Sequence, residues 1–92
     1  MCRNITELRG LQPPATEDEI TAAAVQFVRK ITGIAKPNPS VAPKVDDAVH
    51  QIAHLVRDLL SELPERRGEP ATLPPLRRPA VRARLGLAPF EG

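Results

Sequence analysis

Cys2 and its neighbours are the first place in this chain where chemistry could occur. Removal of Met1 before a small residue would leave Cys2 with a free α-amine, whose pKa is about 7.7–8.0, beside its thiol. Arg3 would favour the thiolate, so the terminus could act as a nucleophile or as a two-atom metal ligand. The alternative is a structural role, in which a small side chain packs near Ile5.

Two histidines have the spacing of metal ligands. His50 and His54 are four residues apart, which on a helix aims both imidazoles to the same side. Asp47 and Asp58 lie on the same strip of the helix surface as the two histidines. This strip is opposite the apolar residues and therefore faces solvent. A metal also needs a closed set of ligands that further hydrogen bonds hold in place. We therefore predict a solvated face and no cofactor. A pair of imidazoles could also sense pH.

Basic residues offer two candidate anion sites. Arg3, Arg29 and Lys30 could converge into a phosphate-binding patch, although Arg29 and Lys30 also suit the negative end of a helix. Residues 64–92 contain six arginines and three glutamates. This basic segment predicts weak nucleic-acid binding, because arginines without a fixed geometry give only a salt-sensitive attraction that does not depend on base sequence. A GC-rich genome would produce the same arginine bias without selection for binding.

Catalytic motifs are missing from the sequence. It contains no glycine-rich phosphate loop, no G-x-S-x-G, no CxxC and no HExxH. This absence favours a non-catalytic protein.

The elements that position these residues are helices. Thr16 and Glu19 form a capping box, apolar residues then recur at helical spacing, and Gly33 suits the left-handed position after a helix. These features predict a helix over 17–32. Ser40 suits an N-cap and Pro43 a first turn, so a second helix is predicted over 41–63. The short connection makes the two helices antiparallel neighbours.

The fold class is thus all-α, a two-helix antiparallel hairpin with a short N-terminal strap and a mobile C-terminal tail. Residues 1–63 form the helical domain, with Ile5, Leu8 and Leu11 in the strap. Residues 64–92 are rich in proline and arginine and are predicted to be largely disordered, with a brief helix at 79–86. The PPLRRP stretch within them suits a flexible spacer.

The second helix carries an apolar stripe that is too wide for one short neighbour to cover. We expect a second copy to pack against it and complete a four-helix bundle. The residues predicted at that interface are Val49, Ile52, Val56 and Leu60.

The cellular compartment is predicted from signals that the sequence does not contain. It has no apolar run long enough for a membrane span or a signal peptide. Its single cysteine cannot form an internal disulfide framework of the kind that small secreted domains need. The prediction is a cytoplasmic protein without membrane association.

Several short blocks carry a family resemblance: MCRNI, PPAT, EI, AAA, QFVRKITG and KP, in this order. The sequence resembles a family of small uncharacterised bacterial proteins that is catalogued as a domain of unknown function. The resemblance is strongest over residues 1–37 and implies a bacterial source and a helical fold, but no activity. Pro39, Pro43 and Val45 replace the usual polar–Phe helix start of that family, and the tail lacks its Ala/Arg-rich helix.

Together these observations predict a small non-catalytic helical interaction module that binds itself or a protein partner. The alternative is a thiol- or metal-dependent protein that acts through Cys2, with His50 and His54 contributed by a neighbouring chain. Nucleic-acid binding through the arginine-rich tail ranks third.

Overall fold

The structure is a computed structural model that describes residues 5–65, 68, 70 and 72–90. Helix α1 spans Glu17–Thr32 and helix α2 spans Ala42–Glu62. A 3₁₀ turn at Pro75–Arg77 then leads into a short helix α3 at Pro79–Arg84. Within these described residues there is no β-strand, and α1 packs against α2. The predicted all-α hairpin is confirmed.

Helix α1 begins and ends where its local sequence dictates. The backbone N–H of Glu19 donates to Thr16 Oγ1 over 3.2 Å, and the backbone N–H of Thr16 donates to Glu19 Oε1 over 2.8 Å. This reciprocal pair is the predicted capping box. At the other end Gly33 is left-handed (φ 72°), and its N–H donates to the carbonyl of Arg29 over 2.9 Å. Both helix ends therefore have partners for backbone groups that would otherwise be unsatisfied.

Gly33→Ala should destabilise the protein by about 1 kcal/mol, since only glycine adopts a left-handed backbone without strain. A Cβ at this position would contact nothing within 4 Å, so the loss comes from the backbone alone. Urea denaturation of the two proteins measures it. Gly33→Asn is the matched control and should recover part of the loss, because asparagine tolerates this conformation. Equal stability of all three would contradict the assignment.

The start of α2 corrects the predicted N-cap. Ser40 was expected to cap the helix, but Val41 occupies that position and provides no side-chain cap. Asn38 takes the role instead: its Oδ1 accepts from the N–H and hydroxyl of Ser40 over 3.0 and 2.6 Å, and its carbonyl accepts from Ala42 N–H over 2.9 Å. Pro43 does lie in the first turn, as predicted.

The core lies between the two long helices and is small. Ala24 and Val28 of α1 pack against Val49 of α2. The half-buried residues around this cluster are Val25, Val45, Ile52 and Ala53. Leu11 of the strap and Ile20 of α1 are also buried. Two of the four residues predicted at a dimer interface, Val49 and Ile52, thus pack inside the hairpin, while Val56 and Leu60 are half-buried.

The described part of the C-terminal segment contains two helical elements. The 3₁₀ turn and α3 pack against each other, and α3 lies within the brief helix predicted at 79–86. Arg77 is buried, and Pro74 before it is buried as well. Composition alone suggested disorder, because it does not reveal that one arginine of this segment has a buried partner in α1.

Candidate functional site

One buried ion pair joins the C-terminal segment to the first turn of α1. The guanidinium of Arg77 donates from Nε to Glu19 Oε2 over 2.5 Å and from Nη2 to Glu19 Oε1 over 2.9 Å. Only 4% of the Arg77 side chain and 1% of the Glu19 side chain are exposed. A bidentate pair of this kind combines two charge-assisted hydrogen bonds with a fixed orientation.

The same arginine also bonds to the strap, the N-terminal segment that precedes α1. Its Nη2 donates to the carbonyl of Pro13 over 2.7 Å and to the carbonyl of Pro14 over 3.1 Å. Arg77 therefore contacts three separate parts of the chain at once: the C-terminal segment that carries it, α1 and the strap. We call Arg77, Glu19 and these two carbonyls the latch.

Phe90 covers the latch from the outside. The guanidinium carbon of Arg77 lies 4.5 Å from the centre of the Phe90 ring, and that of Arg82 lies 5.7 Å from it. Arg82 also donates from Nη1 to the carbonyl of Leu76 over 2.8 Å and from Nε to the carbonyl of Ala88. These cation–π and hydrogen-bonding contacts join residues 88–90 to Arg77 and α3.

The latch changes the ionisation of Glu19. Burial raises the pKa of this carboxyl, but hydrogen bonds from Arg77 and Thr16, together with the positive charge of Arg77, lower it further than burial raises it. The pKa of Glu19 is therefore below its ordinary value of 4.5.

This lowered pKa predicts a loss of stability in acid. A carboxyl with a lower pKa in the folded state contributes stability above its unfolded pKa, and the contribution disappears as the pH falls through the folded pKa. Urea denaturation between pH 7 and pH 3 should show the wild-type protein losing its advantage over Glu19→Gln below about pH 4.5. A difference between the two proteins that is independent of pH would contradict the ionised latch.

The predicted histidine strip lies on the exposed side of α2, and its polar groups bond to one another. Arg57 Nη2 donates to His54 Nδ1 over 2.7 Å, and His54 Nε2 lies 3.3 Å from Asp58 Oδ2. Because arginine cannot accept a hydrogen bond, Nδ1 is the unprotonated nitrogen and Nε2–H faces the carboxylate. His50 is exposed beside this network. Among the residues that the structure describes, no three His, Cys, Asp or Glu side chains are grouped to hold a metal ion.

The structure adds little on the predicted thiol and anion-binding residues. Cys2 and Arg3 lie outside the described residues, so both the proposed thiol and the convergence of Arg3 with Arg29 and Lys30 remain predictions. Arg29 and Lys30 are exposed in the last turn of α1. No described helix is both long enough and apolar enough to cross a lipid bilayer.

An apolar face runs along one side of the hairpin. Phe27 and Ile31 lie one turn apart on α1 and are 46% and 66% exposed, while Leu55 and Leu59 lie one turn apart on α2 and are 68% and 54% exposed. At about 100° per residue, each pair is rotated by roughly 80° from the residues of its helix that contact the other helix.

Both pairs lie on the same side of the hairpin. Arg57, late in α2, bonds to Glu17 at the start of α1, so the helices are antiparallel. In each helix, the exposed pair is rotated about the helix axis in the same direction from the residues that contact the other helix. Because the two helices are antiparallel, equal rotations turn both pairs toward the same side of the hairpin. We call Phe27, Ile31, Leu55 and Leu59 the apolar face.

The sequence interpretation missed the latch and did not single out the apolar face. Glu19 was recognised only as part of the capping box, and Arg77 only as one of six arginines in the tail. A buried arginine in a segment rich in arginine and proline has no local signal, because its partner is 58 residues away. The stripe of α2 was recognised, but which part of it faces α1 depends on how the two helices pack.

A family model described as an uncharacterized conserved protein (DUF2277) matches residues 1–84. The match confirms the resemblance seen in the sequence blocks, and it includes both side chains of the latch and all four residues of the apolar face. No curated protein and no solved structure matches the chain.

Proposed function

Because the chain belongs to this family of uncharacterised conserved proteins, DUF2277, whose description states no activity, we propose a function from its geometry. The protein is a small non-catalytic helical interaction module, and its apolar face binds a second copy of the chain. We further propose that it acts as a homodimer in the bacterial cytoplasm, where a protein with a single cysteine needs no disulfide framework.

The observation that carries the proposal is the imbalance between buried and exposed apolar residues. In the described part of the chain five apolar residues are buried, and ten large ones are exposed. Scattered exposed leucines are ordinary on a protein surface, but here two large exposed side chains of each helix lie on the same side of the hairpin. Exposed apolar surface that is concentrated on one side of a small protein is typical of interaction sites.

A second copy suits this patch because both helices contribute to it. Two hairpins related by a two-fold axis would bring each apolar face against its equivalent and produce a four-helix bundle. The resulting core would contain eight further large side chains, four from each chain. For a domain whose own core is so small, this burial supplies stability that the hairpin lacks alone.

The contacts of the tail arginines support ranking nucleic-acid binding below self-association. Nucleic-acid binding through the tail would use its arginines, but the charge of Arg77 is neutralised by Glu19 and Arg82 is held by two carbonyls. Fewer free guanidinium groups mean fewer phosphate contacts and a weaker, salt-sensitive attraction. Thiol or metal chemistry at Cys2 remains the alternative, and the intact mass of untagged protein after thiol labelling would test it.

Sedimentation equilibrium of the wild-type protein between about 1 and 100 μM tests the proposal. We expect the mass to approach twice the 10.0 kDa of the chain, with a thermal midpoint that rises with concentration. A folded monomer over the whole range, with a midpoint independent of concentration, would reject self-association. Binding of an unrelated protein by such a monomer would replace the second copy as the partner.

A further inference from the structure

A cavity of about 510 Å³ lies at the end of the hairpin where α1 begins and α2 ends. The strap between Leu8 and Ala15 forms one wall, and the chain from Arg57 to Glu65 contributes the opposite wall. We call this space the end cavity. Its volume is in the range of roughly 300–1,000 Å³ that is typical of small-molecule sites.

Part of the lining of the end cavity is hydrocarbon. Leu11 and Ile20 are buried at 4% and 5% exposure, and Leu60, which is half-buried, also lines the cavity. These three side chains lack polar atoms and offer a surface for a hydrocarbon chain. Gln12 and Ser61 line the cavity as well and supply polar atoms.

A positive charge lies at the edge of the same cavity. Arg9 donates from Nε and Nη2 to the carbonyl of Pro64 over 3.1 and 2.8 Å, which ties the strap to the end of α2. A guanidinium has five N–H donors, so donors remain after these two bonds. In the part of the chain that the structure describes, no carboxylate lies within ion-pair distance of Arg9, whereas Arg57 on the opposite wall is paired with Glu17 over 3.1 Å.

We propose that the end cavity binds a small amphiphilic monocarboxylate of the medium-chain fatty-acid type. The hydrocarbon chain packs against Leu11, Ile20 and Leu60, and the carboxylate accepts hydrogen bonds from Arg9. A single negative charge fits better than a phosphate dianion, because Glu65 also lines the cavity and repels further negative charge. The site is separate from the apolar face, so its occupancy does not depend on self-association.

NMR titration of the full chain with sodium octanoate tests this site. We expect saturable shifts of the Leu11, Ile20 and Leu60 signals. Acetate, which has the charge without the chain, should shift none of them at the same concentration. Arg9→Gln should weaken octanoate binding by about tenfold, the effect of losing one charge-assisted hydrogen bond.

Two controls test whether the effect is specific to the charge of Arg9 and to the carboxylate of the ligand. Arg84→Gln, the same change of charge at an exposed position of α3, should leave the octanoate affinity unchanged. 1-Octanol should bind Arg9→Gln and the wild-type protein equally. Absence of saturable binding, shifts concentrated at Leu55 and Leu59, or equal octanoate affinity of Arg9→Gln and wild type would each overturn the proposal. Sedimentation reports on the dimer separately, so failure of one proposal does not imply failure of the other.

Discussion

Arg77→Leu should lower the free energy of unfolding by about 3–5 kcal/mol, the usual loss when one partner of a buried ion pair is removed. The variant leaves the carboxylate of Glu19 buried without its guanidinium and removes the donor that the Pro13 and Pro14 carbonyls share. Domains of this size rarely have more stability than that, so we expect the thermal midpoint to fall by ~10 °C or more.

Thermal and urea denaturation followed by circular dichroism measure this effect. Arg84→Gln is the control, since Arg84 is exposed and should be tolerated within ~0.5 kcal/mol. The double variant Glu19→Leu with Arg77→Leu should recover part of the loss, because neither charge then remains buried and unpaired. If Arg77→Leu is as stable as Arg84→Gln, the latch does not hold the segment in solution.

Leu55→Asp should dissociate the proposed dimer while leaving each hairpin folded. Leu55 is 68% exposed in the single chain, so an aspartate at this position stays hydrated in the monomer. In the dimer the same carboxylate would lie in an apolar contact without a partner, which is strongly unfavourable. We expect the dissociation constant to rise by at least ~100-fold, since each 1.4 kcal/mol corresponds to a factor of ten.

Sedimentation and circular dichroism, measured on the same samples, separate the two consequences. Leu85→Asp is the matched control: Leu85 is 56% exposed but lies just after α3 and is not part of the apolar face, so its replacement should leave the proposed dimer intact. Val49→Asp should instead unfold the hairpin, because Val49 packs between Ala24 and Val28. A Leu55→Asp protein that remains dimeric would place the interface elsewhere.

The sequence alone determined the long helices and their ends to within one residue. Capping boxes, a left-handed glycine and a proline in a first turn act over three or four residues, so their signals are contiguous in the chain. The wide apolar stripe of α2 was equally readable, because helical periodicity is a local property. Even the brief helix at α3 followed from Pro79 in its first position.

Tertiary structure decided what these elements contact. Glu19 and Arg77 are 58 residues apart, and neither differs in type or local setting from glutamates and arginines that remain exposed. Their pairing depends on the path of the strap and the C-terminal segment, which only the folded chain specifies. The same holds for α2, whose packing against α1 buries Val49 and leaves Leu55 exposed. Local patterns define which residues can be buried, and the packing of distant segments selects those that are.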